Sequence, residues 1–526
     1  MRTRNVLAWD LGTSGAKAGI VTPDGEVLAS EFEPTPKLIL PDGGAEQRPG
    51  DWWRALVAAT ERVLSREVVP RASIGAVGVT SQWSGTVAID EQGVPLMNAV
   101  IWMDSRGAGY VRAITGGLLR ISGYAPLKLA RWVRLTGGAP GHGGKDSLAH
   151  ILWIKNVLPE VYERTHKFLE PKDYLTFRLT GRLAASFDSI ALHWVTDNRD
   201  AREIRYDAGL LALAGLDREK LPDLCRASDI LGRLQREHCE RFGLARDVIV
   251  TAGAPDVHSA AIGAGTTRDH EAHLYVGTSA WLACHVPRKK TDVLHNMASL
   301  PSAIPGRYLL MSEQETAGAC LTHLRDKLFY ADDELSQAPP PQDVFEAFDR
   351  VAANSPPGSR KLLFLPWLYG ERAPVEDSSL RGALFNYSLG HERSDVIRSV
   401  LEGVALNARW LLRHVEAFTG GELSELRYIG GGAESEFWSQ IFADVLERPI
   451  LRVKQPQAAN LRGAALIAFV ALGLFDFDDV PSRVRIQSRL EPREQHRALY
   501  TELFQEFLAL HDRTRASFGR LNRPNA

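Results

Sequence analysis

The chain has 526 residues, more than one hydrophobic core usually supports, so two main domains are expected. A formal charge of −2 gives no electrostatic reason to meet nucleic acid or an anionic membrane. The four cysteines, at 225, 239, 284 and 320, show neither a CxxC spacing nor a disulfide-like cluster, which argues against structural zinc and for a reducing compartment.

In chain order, Val6 to Trp9 reads as a buried strand that ends in Asp10 and a Gly12-Thr13-Ser14-Gly15 turn, with a second apolar run from Ala18 to Val21. Because Asp10 cuts the first apolar run, no signal peptide is expected. Gly12 and Gly15 let the backbone approach a ligand, Thr13 and Ser14 can donate to phosphate oxygens, and Lys17 supplies a point charge. Asp10 can hold a hydrated magnesium ion, a hard cation that favours carboxylate and water oxygens. Glu46 to Trp53 then leads into a helix through Leu64, with Asp51 as its expected N-cap. The strand Ile74–Thr80 ends in Ser81-Gln82-Trp83-Ser84-Gly85, and Ala99–Met103 ends in Asp104-Ser105-Arg106. Polar residues at strand ends are where open α/β sheets meet ligands, so Gln82, Trp83, Ser84, Asp104 and Arg106 are the substrate candidates. Helices are expected from Asp146 to Pro159 and from Pro171 to a stop at Gly181, and residues 200–247 read as charged and helical.

The next strand, Val248–Val250, runs into small residues and Asp256, a candidate general base. Downstream, His273–Val276, Gly277-Thr278-Ser279 and Ala280–Ala283 repeat the pattern of the first hairpin. Two phosphate-type turns imply a duplicated fold whose halves face each other across a nucleotide cleft. This is the arrangement of actin-like, ribonuclease-H-like ATPases, here α/β domains over 1–262 and 263–526. Gly430-Gly431-Gly432-Ala433 lies between a strand, Leu426–Ile429, and a helix from Glu436, leaving backbone N–H groups and a helix N-terminus free to meet a ligand. The longest apolar segment, Ala464 to Phe475, is too short to span a bilayer and reads as a buried helix.

Together these segments resemble the FGGY family of carbohydrate kinases, nearest in layout to the xylulokinases. The resemblance rests on Asp10 to Lys17, Glu46 to Trp53, Trp102-x-Asp104-x-Arg106, Leu152 to Lys155, Lys172-Asp173-Tyr174, Arg381 to Phe385, and Asp395 through Leu401 to Ala405. It implies transfer of the ATP γ-phosphoryl group to a sugar or polyol hydroxyl, with Asp256 as base and ATP and magnesium as cofactors. It also implies nucleotide contacts at Gly318, close to the nucleotide in similar kinases, and at Gly431, Gly432 and Ala433, whose loop packs there against adenine and ribose. Expected partners are a small sugar or polyol and ATP, with a homodimer as the one assembly entertained, in the cytoplasm. Trp83-Ser84 stand where xylulokinases carry Met-His, and Val257, Asn386 and Glu434 also depart from the pattern, so the sugar is left open. A gluconate, polyol or other pentulose kinase remains an alternative, as does a sugar sensor on the same fold, although retention of both Asp10 and Asp256 speaks against the sensor.

Overall fold

The computed structural model describes residues 5–522 apart from Ser122, Leu294 and Asn296, and it is built around two mixed sheets, one in each half. The first sheet uses β1 (Asn5–Leu11), β2 (Gly15–Val21), β3 (Val27–Pro34), β4 (Ile74–Ser81), β5 (Ile230–Arg233), β6 (Ile249–Thr251) and β7 (Ala254–Pro255). Its order is β5-β6-β4-β1-β2-β3, with β7 paired beside the end of β4. The second uses β8 (Ala272–Val276), β9 (Ala280–Val286), β10 (Thr291–Asp292), β11 (Met297–Pro301), β12 (Tyr308–Gln314), β13 (Leu426–Ile429), β14 (Ile450–Val453) and β15 (Ile486–Leu490), in the order β10-β11-β12-β9-β8-β13-β14-β15. Each sheet contains an antiparallel meander, β1-β2-β3 or β8-β9-β12. In each, the first strand of the meander pairs in parallel with β4 or β13, then come parallel β6 or β14 and an antiparallel edge, β5 or β15. The duplication signalled by the two Gly-Thr-Ser turns therefore holds for the six strands that the two sheets share, to which the first adds β7 and the second β10 and β11.

The helices that shape the site are α1 (Pro49–Ser65), α2 (Ser147–Val157), α3 (Pro171–Thr180), α4 (Asp256–Ala264), α5 (Gly318–His323), α6 (Glu436–Leu446) and α7 (Ala459–Ala471). Period-two alternation in β1 sends Leu7, Trp9 and Leu11 into the core beneath α1, with Trp52, Leu56 and Val63. Val6 and Ala8 go to the opposite core, with Leu461, Ala465 and Leu466 of α7. Covered on both faces, β1 reads as an unbroken apolar run. Asp10 shares the face of Val6 and Ala8, so it points toward the second half of the chain. α1 starts at Pro49, with Arg48 as its N-cap residue, and Asp51 lies in the first turn. Proline suits N1 because its missing N–H would have no helical partner anyway.

The two halves meet where α4 crosses α7. A Cβ on Gly263 would lie 1.8 Å from the Ala459 carbonyl oxygen, and one on Gly463 would lie 1.8 Å from that of Ser259, so only glycine permits this approach. The division expected at 262/263 falls inside α4. Arg462, fully buried, donates to the carbonyls of Gly25 at 2.8 Å, Gly263 at 3.1 Å and Lys454 at 2.6 Å, tying a turn of the first half to a strand end of the second. Residues 200–247 are not the helical region expected: only Ala208–Ala214 and Arg236–Phe242 form α-helices, because Gly215, Pro222, Gly232 and Gly243 interrupt any longer helical period. Among the described residues, no helix is long and apolar enough to cross a membrane.

Candidate active site

The first turn is closed by Gly12 N–H donating to the Gly15 carbonyl at 2.9 Å, and pairing of β1 with β2 sets Lys17 opposite Asp10. Lys17 Nζ lies 3.8 Å from Asp10 Oδ2. Asp10 is buried, and burial pushes its acid up against the lowering effects of Lys17 and of Asn460, which faces it from α7. Its Oδ1 is buried and bonded to nothing in the protein, leaving an acceptor open to a hydrated cation. Among the described residues, no group of three or more His, Cys, Asp or Glu side chains gathers as a metal cage.

Thr13 is held from beneath. Its hydroxyl donates to Gln82 Oε1 at 3.1 Å and accepts from Trp102 Nε1 at 2.9 Å, while its carbonyl accepts from Gln47 Nε2 at 3.0 Å. Gln82 Nε2 donates to Gln47 Oε1 at 2.7 Å, and Trp52 Nε1 donates to the same oxygen at 3.1 Å. Gln82, 2 % exposed, thus has both ends of its amide engaged and braces the turn. Ser14 is exposed at the tip.

Asp256 opens α4, half-buried, with Val257 N–H donating to its Oδ1 at 2.8 Å. Burial, then the nearby charges of Asp10 and Glu313, raise its acid to about 7, with the Val257 bond opposing. A carboxyl poised there changes hands with a proton near neutral pH. Trp83 reaches the same helix, its ring edge-on to His258 with centroids 5.0 Å apart and its Nε1 donating to the Ser189 carbonyl at 3.0 Å. The turn after it is strained: Ser84 has φ of 58° and is held by its own hydroxyl on the Lys145 carbonyl, 2.6 Å, and by Gly85 N–H on Glu170 Oε2, 2.9 Å.

Asp104 and Arg106 lie together, but closed upon themselves. Asp104 is 1 % exposed and accepts from Ala45 N–H, from Arg106 N–H and from the Arg106 guanidinium, each at 2.9 Å. Arg106 also donates to Glu46 at 2.7 Å and stacks 3.7 Å over the Trp153 ring. Of the five substrate candidates, Trp83, against His258 in α4, and Arg106 keep some exposure, while Gln82, Ser84 and Asp104 are buried and engaged.

The second turn rests on the start of α5. Ala317 and Ala319 N–H donate to the Thr278 carbonyl at 2.9 and 3.1 Å, and Gly318 N–H donates to that of Gly277 at 2.8 Å. A Cβ on Gly318 would lie 2.4 Å from the Gly277 oxygen. Thr278 is exposed and Ser279 half-exposed. The 430–433 loop lies against the same strand end: a Cβ on Gly432 would meet Val276 at 2.8 Å, whereas Gly431 faces open space. Ser435 caps α6, its hydroxyl accepting from Trp438 N–H at 2.8 Å. A separate hollow of about 900 Å³, lined by Pro356, Arg360, Arg398, Phe437, Arg493 and His496 among others, lies on the second half and includes none of these residues.

Several residues of the cleft escaped the sequence reading. Tyr275 stands in the second hairpin where Asp10 stands in the first, and burial, then the charges of Asp256 and Asp10, push its phenol to about 12. Superposing the two Gly-Thr-Ser turns on paper would have found it. Trp281 stacks on Tyr275 at 3.6 Å, and Glu313 pairs across the strands with Trp281. Lys172, wholly buried in α3, donates to the Ala252 carbonyl at 2.8 Å, in the segment that delivers Asp256.

Comparison with known proteins identifies the family of both halves. Residues 5–263 match the N-terminal domain, and residues 272–472 the C-terminal domain, of the FGGY family of carbohydrate kinases. The chain is 28 % identical over 513 residues to a xylulose kinase of Staphylococcus epidermidis, covering 97 % of each protein. It is 26 % identical over 511 residues to a gluconokinase of Bacillus subtilis, covering 97 % of this chain and 96 % of that one. In fold it is similar to the crystal structure of a xylulose kinase from Lactobacillus acidophilus, with a TM-score of 0.85 at 24 % identity, covering 98 % of this chain and all of the other.

Proposed function

Because the chain belongs to the FGGY family of carbohydrate kinases, we propose that it carries the γ-phosphoryl group of ATP to a hydroxyl of a neutral ketopentose, xylulose first among them, with Asp256 as the base. The observation that carries this reading is Asp256 itself, a carboxyl raised to about 7 that senses the charges of Asp10, beside the first phosphate turn, and of Glu313, in the opposite half. The sugar hydroxyl gives its proton to Asp256 as its oxygen bonds to the γ-phosphorus; the bond from phosphorus to the β,γ-bridging oxygen breaks, and ADP leaves. Thr13-Ser14 and Thr278-Ser279 cradle the phosphates, and the Gly431-Gly432-Ala433 loop meets the adenosine. The open Oδ1 of Asp10 fits a magnesium ion held otherwise by water and phosphate oxygens. Bound there, the metal would neutralise charge on the phosphates. Little covalent work falls to the protein, so rate comes from positioning and from exclusion of water as the halves close about the α4–α7 crossing.

The test is ADP release from purified protein over a panel of ketopentoses, ketohexoses, polyols and aldonates. A ketopentose should give the highest kcat/KM, and an aldonate in that place would overturn the substrate reading. The role of α5 has its own test. Gly318→Ala forces a methyl group against the Gly277 carbonyl, where overpacking costs about 1–3 kcal/mol, so KM for ATP should rise by about tenfold while KM for the sugar stays put. Equal change in both constants would detach α5 from the nucleotide.

A further inference from the structure

Three neighbouring strand ends release the parts that meet a substrate. Ser81, at the end of β4, pairs with Leu11 of β1 on one side and with Pro255 of β7 on the other, so the phosphate turn at Gly12, the 82–85 turn and Asp256 leave the sheet side by side. A sugar whose hydroxyl meets Asp256 while a phosphate rests on Thr13 and Ser14 lies beside the 82–85 turn. We propose that Glu170 is a positioning residue of this sugar site, a buried carboxyl that locks the strained Trp83-Ser84-Gly85 turn so that Trp83 stays against α4, the helix that Asp256 opens. The inference rests on the sugar-kinase reading above and holds for whichever sugar is bound.

A closed ring of hydrogen bonds across three segments holds the turn. The Ser84 hydroxyl donates to the Lys145 carbonyl at 2.6 Å, Gly85 N–H donates to Glu170 Oε2 at 2.9 Å, and Glu170 Oε1 is hydrogen-bonded to the hydroxyl of Ser147, two residues on from Lys145. Pro171 completes the seat: a Cβ on Gly85 would lie 2.5 Å from its Cγ, so the turn backbone rests directly on the proline ring. Without the Glu170 carboxyl the ring opens, Gly85 N–H loses its acceptor, and Ser84 is left in a left-handed conformation, φ 58°, that serine rarely adopts unaided. Trp83 takes its place from the same turn, its ring edge-on to His258 with centroids 5.0 Å apart and its Nε1 on the Ser189 carbonyl at 3.0 Å.

Stability alone does not account for an acid here. Glu170 is 2 % exposed, and among the described residues no lysine or arginine forms an ion pair with it. His193 Nδ1 lies 3.8 Å from Oε1, but burial lowers that imidazole to about 3, so it is neutral at pH 7. Burial raises Glu170 itself to about 8 against the bonds from Ser147 and Gly85, and it stands in the site as the uncharged acid. An apolar side chain of similar length would be buried at less cost, so what the carboxyl adds is its pair of hydrogen bonds, one of them on the turn.

The experiment compares wild type, Glu170→Gln, Glu170→Met, Trp83→Ala and the Trp83→Ala/Glu170→Met double variant, reading kcat and the KM values for ATP and for the best sugar of the panel. Glutamine copies the uncharged acid, accepting from Gly85 and donating to Ser147, so Glu170→Gln should keep the sugar KM within about twofold of wild type. Methionine fills the volume but leaves Gly85 N–H without an acceptor, and it should raise the sugar KM by about tenfold with the ATP KM unchanged. Because Glu170 acts through the turn that carries Trp83, its loss should add less than about twofold once Trp83 is alanine. A sugar KM at the wild-type value in Glu170→Met, an equal rise in Glu170→Gln, or effects that multiply in the double variant would each overturn the proposal. A merely structural Glu170 would show itself in Glu170→Met as a lower melting temperature with both KM values unmoved. Should Glu170→Met not fold, Ser147→Ala carries the test: it frees Oε1 and should raise the sugar KM by about threefold or more, and an unchanged sugar KM there overturns the proposal. Calorimetric titration with the sugar in the absence of ATP reads the same loss without turnover. If the best sugar is not a ketopentose, the substrate reading alone falls, and the same variants are scored on that sugar.

Discussion

Asp256→Asn is expected to lower kcat by about 10²–10⁴ while leaving ATP binding and the fold in place, the usual worth of a positioned general base. Asparagine keeps the shape and can still accept from Val257 N–H, so the change removes the proton acceptor and little else. The pH dependence sharpens the expectation. With its acid raised to about 7, Asp256 is protonated and idle below that value, so wild-type kcat/KM should fall tenfold per pH unit on the acid side of about 7. The variant should lose that limb. Stability moves the opposite way. A carboxyl whose acid is raised on folding contributes stability that is fully present below its unfolded value near 4 and is lost as pH rises through about 7. Asparagine mimics the protonated form at every pH, so the variant should melt above wild type at pH 8, with the gap narrowing steadily toward pH 4. Turnover near wild type, or an acid limb retained in the variant, would place the base elsewhere.

The parts of the site that depend on local chemistry were legible in the sequence. A strand, an acid and a Gly-Thr-Ser turn lie within a dozen residues, and the second copy at 273–283 announced the duplication that the two sheets display. Asp256 was visible as an acid at the close of an apolar strand. The partners of the other candidates, and the residues that were missed, depend on register and on distant segments. Gln82 reads as a free polar strand end, yet its amide is taken by Thr13 and Gln47, 69 and 35 residues away. Asp104 likewise spends its oxygens on Ala45 and Arg106. Glu313 and Trp281 lie in strands whose only local signal is β-propensity, and their shared face exists only once β9 and β12 are aligned. The stretch 200–247 was misread because high charge resembles a solvated helix, while its glycines and Pro222 divide it into short helices, strands and turns.

Lys172 is a buried cation whose removal should cost both stability and rate. It is 1 % exposed and lies in an ion pair with Asp173, which also accepts from Ser189 Oγ at 2.7 Å. The Ser189 carbonyl in turn takes Trp83 Nε1 at 3.0 Å, and Lys172 itself holds the Ala252 carbonyl at 2.8 Å. One ammonium group therefore links the Trp83 side chain to the segment that carries Asp256. Asp188, fully buried with neither carboxylate oxygen bonded, feels the same charge; its acid is raised to about 6 by burial and held down by Lys172. Burial likewise raises Asp173, again with Lys172 opposing. Lys172→Met strands both carboxyls, and breaking a buried pair by removing one partner costs about 3–5 kcal/mol, so the melting temperature should fall by on the order of 10 °C at pH 8. The orphaned acids can escape the penalty by taking up protons, so the deficit should shrink as pH falls toward 5. Turnover should drop by about 10–100-fold with KM for ATP nearly unchanged, since the displaced Ala252 segment orients the base while the phosphate turns stay intact. Lys172→Met combined with Asp173→Asn separates the two effects: removing one stranded charge should restore part of the lost stability, whereas the Ala252 carbonyl still lacks its donor and kcat should stay low. Recovery of kcat in step with the melting temperature would reduce Lys172 to a purely structural ion.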